Sequence, residues 1–392
     1  MAVLNNNQLG GASGQAGGYF LEDSLRFRSS ASAYLNRTAS SAPTNGKKLT
    51  LSCWVKRGAT GTRVYLAQSG VGTGNDNYSS FYFNANNTIQ ISMYSVVPRV
   101  TTQVFRDPSA WYHFVVAYDT TQASADNRVK LYVNGEQVTS FTTNGTIPTD
   151  TLIAFTKQSQ AMYIGTASDE ATYFDGYITE YNLIDGQQLA PTSFGEYNKD
   201  TGVWQPKKYN GSYGTNGFYL KGRGTDNSGN GNNFTENNID TSSGDATYDL
   251  MSDVPTLTDE DTNNFATLNP NNMAVNTTMT DGNLKASNSV NHATMFPTNM
   301  PTTGKYYFEC KMAVNAVLGL GFRTDTNKVE SAYSDEANKY YFYLNNSNAY
   351  RIVETTNTAL GANLNNTTST FQVAIDFDAA KYYFGRDNTW YA

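Results

Sequence analysis

Few residues of this chain have the type and spacing for chemistry. Asp175 and Glu180 stand in Phe174-Asp175-Gly176-Tyr177-Ile178-Thr179-Glu180-Tyr181. A glycoside-cleaving pair needs carboxyl groups about 5–5.5 Å apart for retention, or about 6.5–9.5 Å for inversion. An offset of five puts these two on opposite faces of a regular strand, because alternate residues share a face. No hydrolase is expected, and the chain is read as non-enzymatic. His113 lies between Tyr112 and Phe114 in a strand pattern and reads as a satisfied sheet residue; His292 sits in an Asn/Ser loop. Neither has a Cys or Asp spaced for a triad or metal site. No Cys-x-x-Cys occurs, and no glycine-rich loop follows a strand and opens a helix, so nucleotide binding has no support.

Calcium is the cofactor for which these residues offer the most. Asp226, Asn227, Asn230 and Asn232 offer oxygens in the glycine-punctuated run Asp226 to Asn233, and this hard ion takes six to eight of them. The competing reading is a turn-rich connection, in which Asn and Gly are chosen for positive φ and Asx turns. Glycan recognition would need exposed aromatic rings beside amide or carboxylate groups. Trp54, Tyr78, Tyr94, Trp111 and Tyr163 are the candidates, although β propensity alone also favours Tyr.

The elements that must position these groups are strands. In 392 residues, aromatics reach 13% and charged residues only 16%; Lys+Arg number 27 against Asp+Glu 34, for a net charge of −7. The aromatics exclude disorder throughout, and the acidic balance excludes a phosphate-tracking nucleic-acid binder. No apolar run approaches the ~18 residues of a membrane helix. Residues 1–20 lack the basic start and apolar stretch of a secretory signal and read as a flexible arm. Cys53 and Cys310 lie far apart in strand patterns and read as buried free thiols.

Period-two alternation marks Leu49 to Val55, with Trp54 on the face opposite Leu49, Leu51 and Cys53. Strands are also expected at Phe81–Phe83, Ile89–Tyr94, Trp111–Tyr118, Val129–Val133, Ala161–Gly165 and Phe174–Leu183. Asn134-Gly135 supplies the two φ > 0 residues of a type I′ turn. Residues 21–222 therefore read as an antiparallel β-sandwich, and residues 223–265 as an Asn/Gly/acidic linker. Strands resume at Lys305–Lys311, Val317–Phe322, Tyr340–Leu344, Tyr350–Val353, Phe371–Phe377 and Lys381–Phe384, giving a second all-β domain over 266–392.

These segments carry a resemblance. Leu25-Arg26-Phe27, Tyr34-Leu35, Leu49 to Val55, Trp111-Tyr112-His113, Lys130 to Gly135 and Phe174 to Ile178 follow one another as in laminin-G or concanavalin A-like lectin domains, which are jelly rolls. The second domain is similar to the SPRY (B30.2) sandwich through Asn264 to Pro270, Gly304 to Glu309, Leu318 to Phe322 and the Val373 to Gly385 hairpin. That family continues past this hairpin, so the second sandwich is expected to be truncated, with edge strands left around Lys381 to Phe384. The order of two sandwiches with an Asn-rich connection resembles virion proteins of tailed, especially marine, phages. The resemblance implies a virion location, a tail fibre or receptor-binding role, a homotrimer, and as partners a host-surface glycan and other virion proteins. The alternative it leaves open is a structural virion module, namely a tail adaptor, capsid decoration or head fibre. No nucleic acid and no membrane insertion are expected.

Overall fold

Alternating side chains decide most of the architecture. The computed structural model describes residues 19–70, 77–93, 96–242, 247–256, 262–289, 294–299, 301–314, 318–323, 339–344, 348–353, 356–362 and 367–391. Tyr94, His292 and most of the expected arm lie outside the described residues. The described residues divide into two units, one built from 19–264 together with 279–285, the other from 265–278 and from 286 onward.

The strands of the first unit are, in chain order, β1 (Ser24–Phe27), β2 (Tyr34–Thr38), β3 (Lys48–Arg57), β4 (Val64–Ser69), β5 (Ser79–Phe83), β6 (Thr88–Met93), β7 (Val96–Val104), β8 (Trp111–Asp119) and β9 (Val129–Val133). They continue as β10 (Glu136–Gln137), β11 (Phe141–Thr143), β12 (Ala161–Ile164), β13 (Gly176–Asp185), β14 (Gly195–Tyr197), β15 (Trp204–Pro206), β16 (Phe218–Leu220), β17 (Thr235–Asn237) and β18 (Leu250–Met251). A front sheet runs β10-β9-β8-β3-β13-β1-β18, with β16 also paired to β13; a back sheet runs β11-β7-β6-β5-β4-β12-β2-β17. Every pairing in both sheets is antiparallel. The core between them takes Leu49, Leu51, Cys53 and Val55 from β3, and Phe81, Phe83, Ile89, Ile91 and Met93 from β5 and β6. Asn134 (φ 48°) and Gly135 (φ 87°) make the expected primed turn between β9 and β10. Cys53 and Cys310 are free thiols, the first buried and the second half-buried.

Residues 223–264 are not a free connection. β17 adds to β2 and β18 to β1, so both sheets gain an edge strand from this segment. Buried polar pairs hold the rest: Asp249 accepts from Arg26 and Arg28 at 3.0 and 2.8 Å, and Asp253 meets the Lys56 ammonium at 2.7 Å. Low apolar content suggested a linker; of the few apolar residues it has, Phe234, Met251 and Val254 are buried, and the charge pairs add to that anchoring.

In the second unit one sheet runs Lys305–Cys310, Phe371–Asp376, Lys381–Arg386, Thr389–Tyr391, and another runs Leu318–Arg323, Lys339–Leu344, Asn348–Val353, Thr356–Ala362. Phe342 and Leu344 of one meet Phe371, Val373 and Phe384 of the other in a single core, with the Phe342 and Phe384 rings stacked at 4.1 Å. The fold class is all-β throughout.

Candidate functional site

The outer face of the front sheet is covered by the chain itself. Trp54 and Trp111, expected as binding aromatics, are only 3% and 8% exposed and pack with Trp204, Tyr177 and Met251. Trp54 stacks on His113 at 4.8 Å, and His113 on Trp204 at 5.9 Å. The Trp204 indole N–H donates to His113 Nδ1 at 3.0 Å, so Nε2 carries the proton and donates to Ser52 Oγ at 2.8 Å. Burial holds the imidazole neutral by pushing its pKa down to about 3. This is the satisfied sheet histidine that the sequence suggested. Trp111 donates its indole N–H to Asp253 at 3.1 Å. The expectation for Trp54 and Trp111 is thus corrected. They do stand outside the main core, but residues from 204 to 251 close over them.

Inside this sheet the strand β13 is irregular. Its register with β3 shifts between Thr179 and Asn182, so Glu180 and Tyr181 share the space of one residue. Tyr181 turns into the core, and Glu180 takes the left-handed region at φ 51°. Such a bulge re-aims a side chain and often adjoins a functional site. Glu180 is buried, and burial raises its carboxyl to about 7 against the opposing effect of two tyrosine hydroxyls. Tyr19 donates to both carboxylate oxygens, at 3.0 and 2.9 Å, and Tyr219 donates to Oε1. A groove of about 290 Å³ runs beside it, lined by Leu21, Asp23, Lys221, Arg223 and Asn227.

Asp175 belongs to a different place. Its carboxylate accepts from the Ser29 hydroxyl at 2.9 Å and the Gly282 amide at 2.7 Å, pinning the 281–282 turn. Burial raises its pKa. Five residues at ~3.3 Å each leave Asp175 and Glu180 roughly 16 Å apart along the chain, beyond the span of either glycosidase geometry. The bulge removes the opposite-face relation expected of a regular strand, and distance alone keeps the two carboxyl groups apart.

The Asp226 loop does not fit a calcium cage. Asp226 Oδ1 accepts from the Tyr219 amide at 3.0 Å and the Ser228 amide at 2.8 Å, and Oδ2 from the Ser228 hydroxyl at 2.9 Å and the Asn232 amide at 2.8 Å. Asn230 and Asn232 turn their amide nitrogens to the Gly217 carbonyl, at 2.9 and 2.7 Å, while Asn227 donates to the Thr225 carbonyl at 2.9 Å. The four side chains shape the turn instead of converging on an ion. Among the described residues, no three His, Cys, Asp or Glu side chains group to hold a metal.

The outer face of the back sheet is different in kind. Its registers align Asn36, Tyr163, Gln68, Ser80 and Ser92 in one row across β2, β12, β4, β5 and β6. A second row aligns Tyr65, Tyr82 and Gln90. The Tyr65 and Tyr82 rings meet at 4.8 Å, and the exposed Arg63 guanidinium lies 5.5 Å over Tyr82. Tyr163 leans on Tyr34 at 6.2 Å. Tyr78 is half-buried and near enough to raise the Tyr65 and Tyr82 phenols electrostatically, after burial; Tyr65 reaches about 12. Asn84 donates to Gln90 at 3.1 Å and Gln90 to Ser92 at 2.9 Å. Ser80 Oγ is buried and, among the described residues, has no hydrogen-bond partner. The face therefore gathers Tyr78 and Tyr163 of the expected set. It adds Arg63, Tyr65 and Gln90, which sequence reasoning missed; Tyr82, the outward phenol between the core rings of Phe81 and Phe83, is buried at 5% exposure and backs Tyr65.

These features define a lectin-like β-sandwich. Residues 29–189 match the concanavalin A-like lectin/glucanases superfamily. No curated protein sequence matches the chain. Among solved structures it is similar to a heptameric SAP-like pentraxin of Limulus polyphemus, with 15% identity, 44% of this chain and 80% of that chain covered, and a TM-score of 0.32. A protein of Bacteroides ovatus provisionally assigned as carbohydrate-binding gives 14% identity, 56% and 59% coverage and a TM-score of 0.34. Domain 4 of an extracellular arabinanase of Geobacillus stearothermophilus, solved with arabinotriose, gives 18% identity, 38% and 65% coverage and a TM-score of 0.28. The chain spans less than two thirds of the latter two.

Proposed function

We propose that this chain is a non-enzymatic adhesin that binds surface glycans through the outer face of the back sheet of its first sandwich. The observation that carries this reading is the pair of aligned rows, in which phenol rings stand beside Gln, Asn and Ser side chains. Phenol rings offer flat apolar surface for the C–H face of a sugar, and the amides and hydroxyls are the few convergent polar groups that orient it. Non-enzymatic action follows from the separation of Asp175 from Glu180 and from the tyrosine hydroxyls that occupy both Glu180 oxygens.

The setting we propose is a tailed-phage virion, as a homotrimeric tail fibre or receptor-binding protein with other virion chains as neighbours. Its support is the resemblance in module order, and a trimer of weak sites would gain about 10²–10⁴ in avidity. An array of bacterial O-antigen and capsular oligosaccharides tests the binding reading. Retention by the array, lowered at least tenfold in Tyr65→Ala and Gln90→Ala without release of reducing ends, is expected. Retention unchanged in both variants would remove this face from the account.

A further inference from the structure

The second unit carries an aromatic surface that the glycan reading of the first sandwich does not use. Of the four tryptophans in the chain, Trp54, Trp111 and Trp204 are buried at 3–8% exposure, whereas Trp390 is 47% exposed. Tyr383, on the neighbouring strand, is 45% exposed. Strand registers explain how they come together. Glu309 pairs with Gln372, Gln372 with Gly385, and Gly385 with Trp390, forming one row across four strands. The next row is Tyr307, Ala374 and Tyr383. Core side chains such as Val373 and Phe384 occupy the other face.

Gly385 is the key to the shape. A Cβ there would stand 3.2 Å from two atoms of the Trp390 indole, so the missing side chain lets the ring lie down on the strand. One face of the indole thus rests on protein while the residue keeps nearly half its surface. Tyr307 flanks it, with ring centroids 6.3 Å apart at 52°. Ala374, between Tyr307 and Tyr383, leaves the floor low. The result is a shallow dish floored by Ala374 and Gly385 and rimmed by Tyr307, Tyr383 and Trp390.

Its polar groups are fixed in advance. The buried Gln372 amide nitrogen lies 2.7 Å from the Tyr307 hydroxyl, 3.1 Å from Glu309 Oε1 and 2.9 Å from Asn388 Oδ1. Its oxygen accepts from the Asn388 amide at 2.8 Å. Asp387 and Asn388 hold the left-handed turn that leads into the Trp390 strand, at φ 50° and 64°. Gln372 therefore locks both the turn and the ring that follows it. Glu309 Oε2 has no partner among the described residues, and Glu309 is the only formal charge in the Trp390 row.

We propose that this dish is a second carbohydrate site, in which a neutral hexopyranose stacks its C–H face on Trp390 and donates hydroxyls to Glu309 and Asn388. This rests on the reading of the chain as a glycan binder, but not on the location of the first site. A carboxylate beside the indole, with one oxygen held by Tyr307 and Gln372 and the other open, disfavours acidic sugars and phosphates and suits a hydroxyl donor, because charge-assisted hydrogen bonds are the strong ones. A protein partner would favour a wider apolar patch than one indole ringed by amides and phenols.

The three buried tryptophans make the test specific, since Trp390 dominates the solvent-sensitive emission. Maltohexaose, cellohexaose and neutral O-antigen oligosaccharides would be titrated into the full chain, alongside Tyr65→Ala, Trp390→Ala and Glu309→Gln. A blue shift with loss of iodide quenching is expected for at least one sugar in both the wild type and Tyr65→Ala. Trp390→Ala should lose the shift, and Glu309→Gln should weaken binding at least fivefold at an unchanged melting temperature. Should Trp390→Ala not fold, Glu309→Gln decides. Binding with Trp390 emission unmoved and Glu309→Gln unaffected overturns the second site and leaves the first standing. A Trp390 shift that persists while Tyr65→Ala leaves array retention of every oligosaccharide unchanged supports this site and removes the first. No binding of any sugar, neutral or acidic, overturns both.

Discussion

The two outer faces of the first sandwich obey one alternation rule and have opposite fates. On the front sheet, outward Trp54 and His113 lie beneath Trp204 and the anchored 248–264 segment. On the back sheet, outward Tyr65, Tyr163 and Gln90 stay half-exposed; the Tyr65 ring meets Tyr82, the Tyr163 ring meets Tyr34, and Gln90 donates to Ser92. An outward aromatic in a strand thus says that its face is not the main core; it does not say that the face meets solvent. What separates the two is the partner chemistry. The front face pairs indoles with a buried ion pair and a neutral imidazole, which need cover. The back face pairs phenols with amides and hydroxyls, which tolerate water.

The largest expected effect lies under the front cover. Asp253→Ala would leave the buried Lys56 ammonium without its carboxylate and Trp111 without its acceptor. Removing one partner of a buried pair costs about 3–5 kcal/mol, which a denaturant midpoint would register; a change under about 1 kcal/mol would break the contrast between the faces. Gly135→Val comes next. The residue sits at φ 87°, and a Cβ there would come within 2.6 Å of Trp204. Strain and overpacking together predict a loss of roughly 1–3 kcal/mol, visible as a lower melting temperature.

Glu180 sharpens the comparison within the front sheet. Its carboxyl is raised in the folded state, to about 7. A raised pKa contributes stability that is complete below the ordinary carboxylate range and is lost as pH climbs through about 7. Urea midpoints of the wild type should therefore fall between pH 5 and pH 8, by roughly 1–3 kcal/mol, while Glu180→Gln flattens that slope. A slope of opposite sign would refute the assignment. The smallest stability effect belongs to the back face: Tyr65→Ala should cost less than about 1.5 kcal/mol while weakening oligosaccharide retention.

Much of this was legible from strand pattern alone. Leu49 to Val55, Trp111 to Tyr118 and Asn134-Gly135 each carry their structure locally, through alternation or a turn that only certain residues accept. The bulge at Glu180 was not legible, because nothing in Ile178-Thr179-Glu180-Tyr181 announces that two residues will face one on β3. Nor was the anchoring of 223–264, since Asp249 and Asp253 look like loop carboxylates until Arg26, Arg28 and Lys56 meet them from more than 190 positions away. The binding face was half legible. Tyr163 could be named from its strand, but the rows that join it to Gln68, and Tyr65 to Gln90, depend on cross-strand register, which alternation within one strand does not fix.

Hydroxyl-radical footprinting of the full chain, with and without a saturating oligosaccharide retained by the array, tests the central claim most directly. Protection concentrated on Tyr65 and Tyr163, with Trp54 and Trp111 silent in both states, is the predicted result. Protection confined to the groove beside Glu180, with the back-sheet tyrosines unchanged, would contradict it.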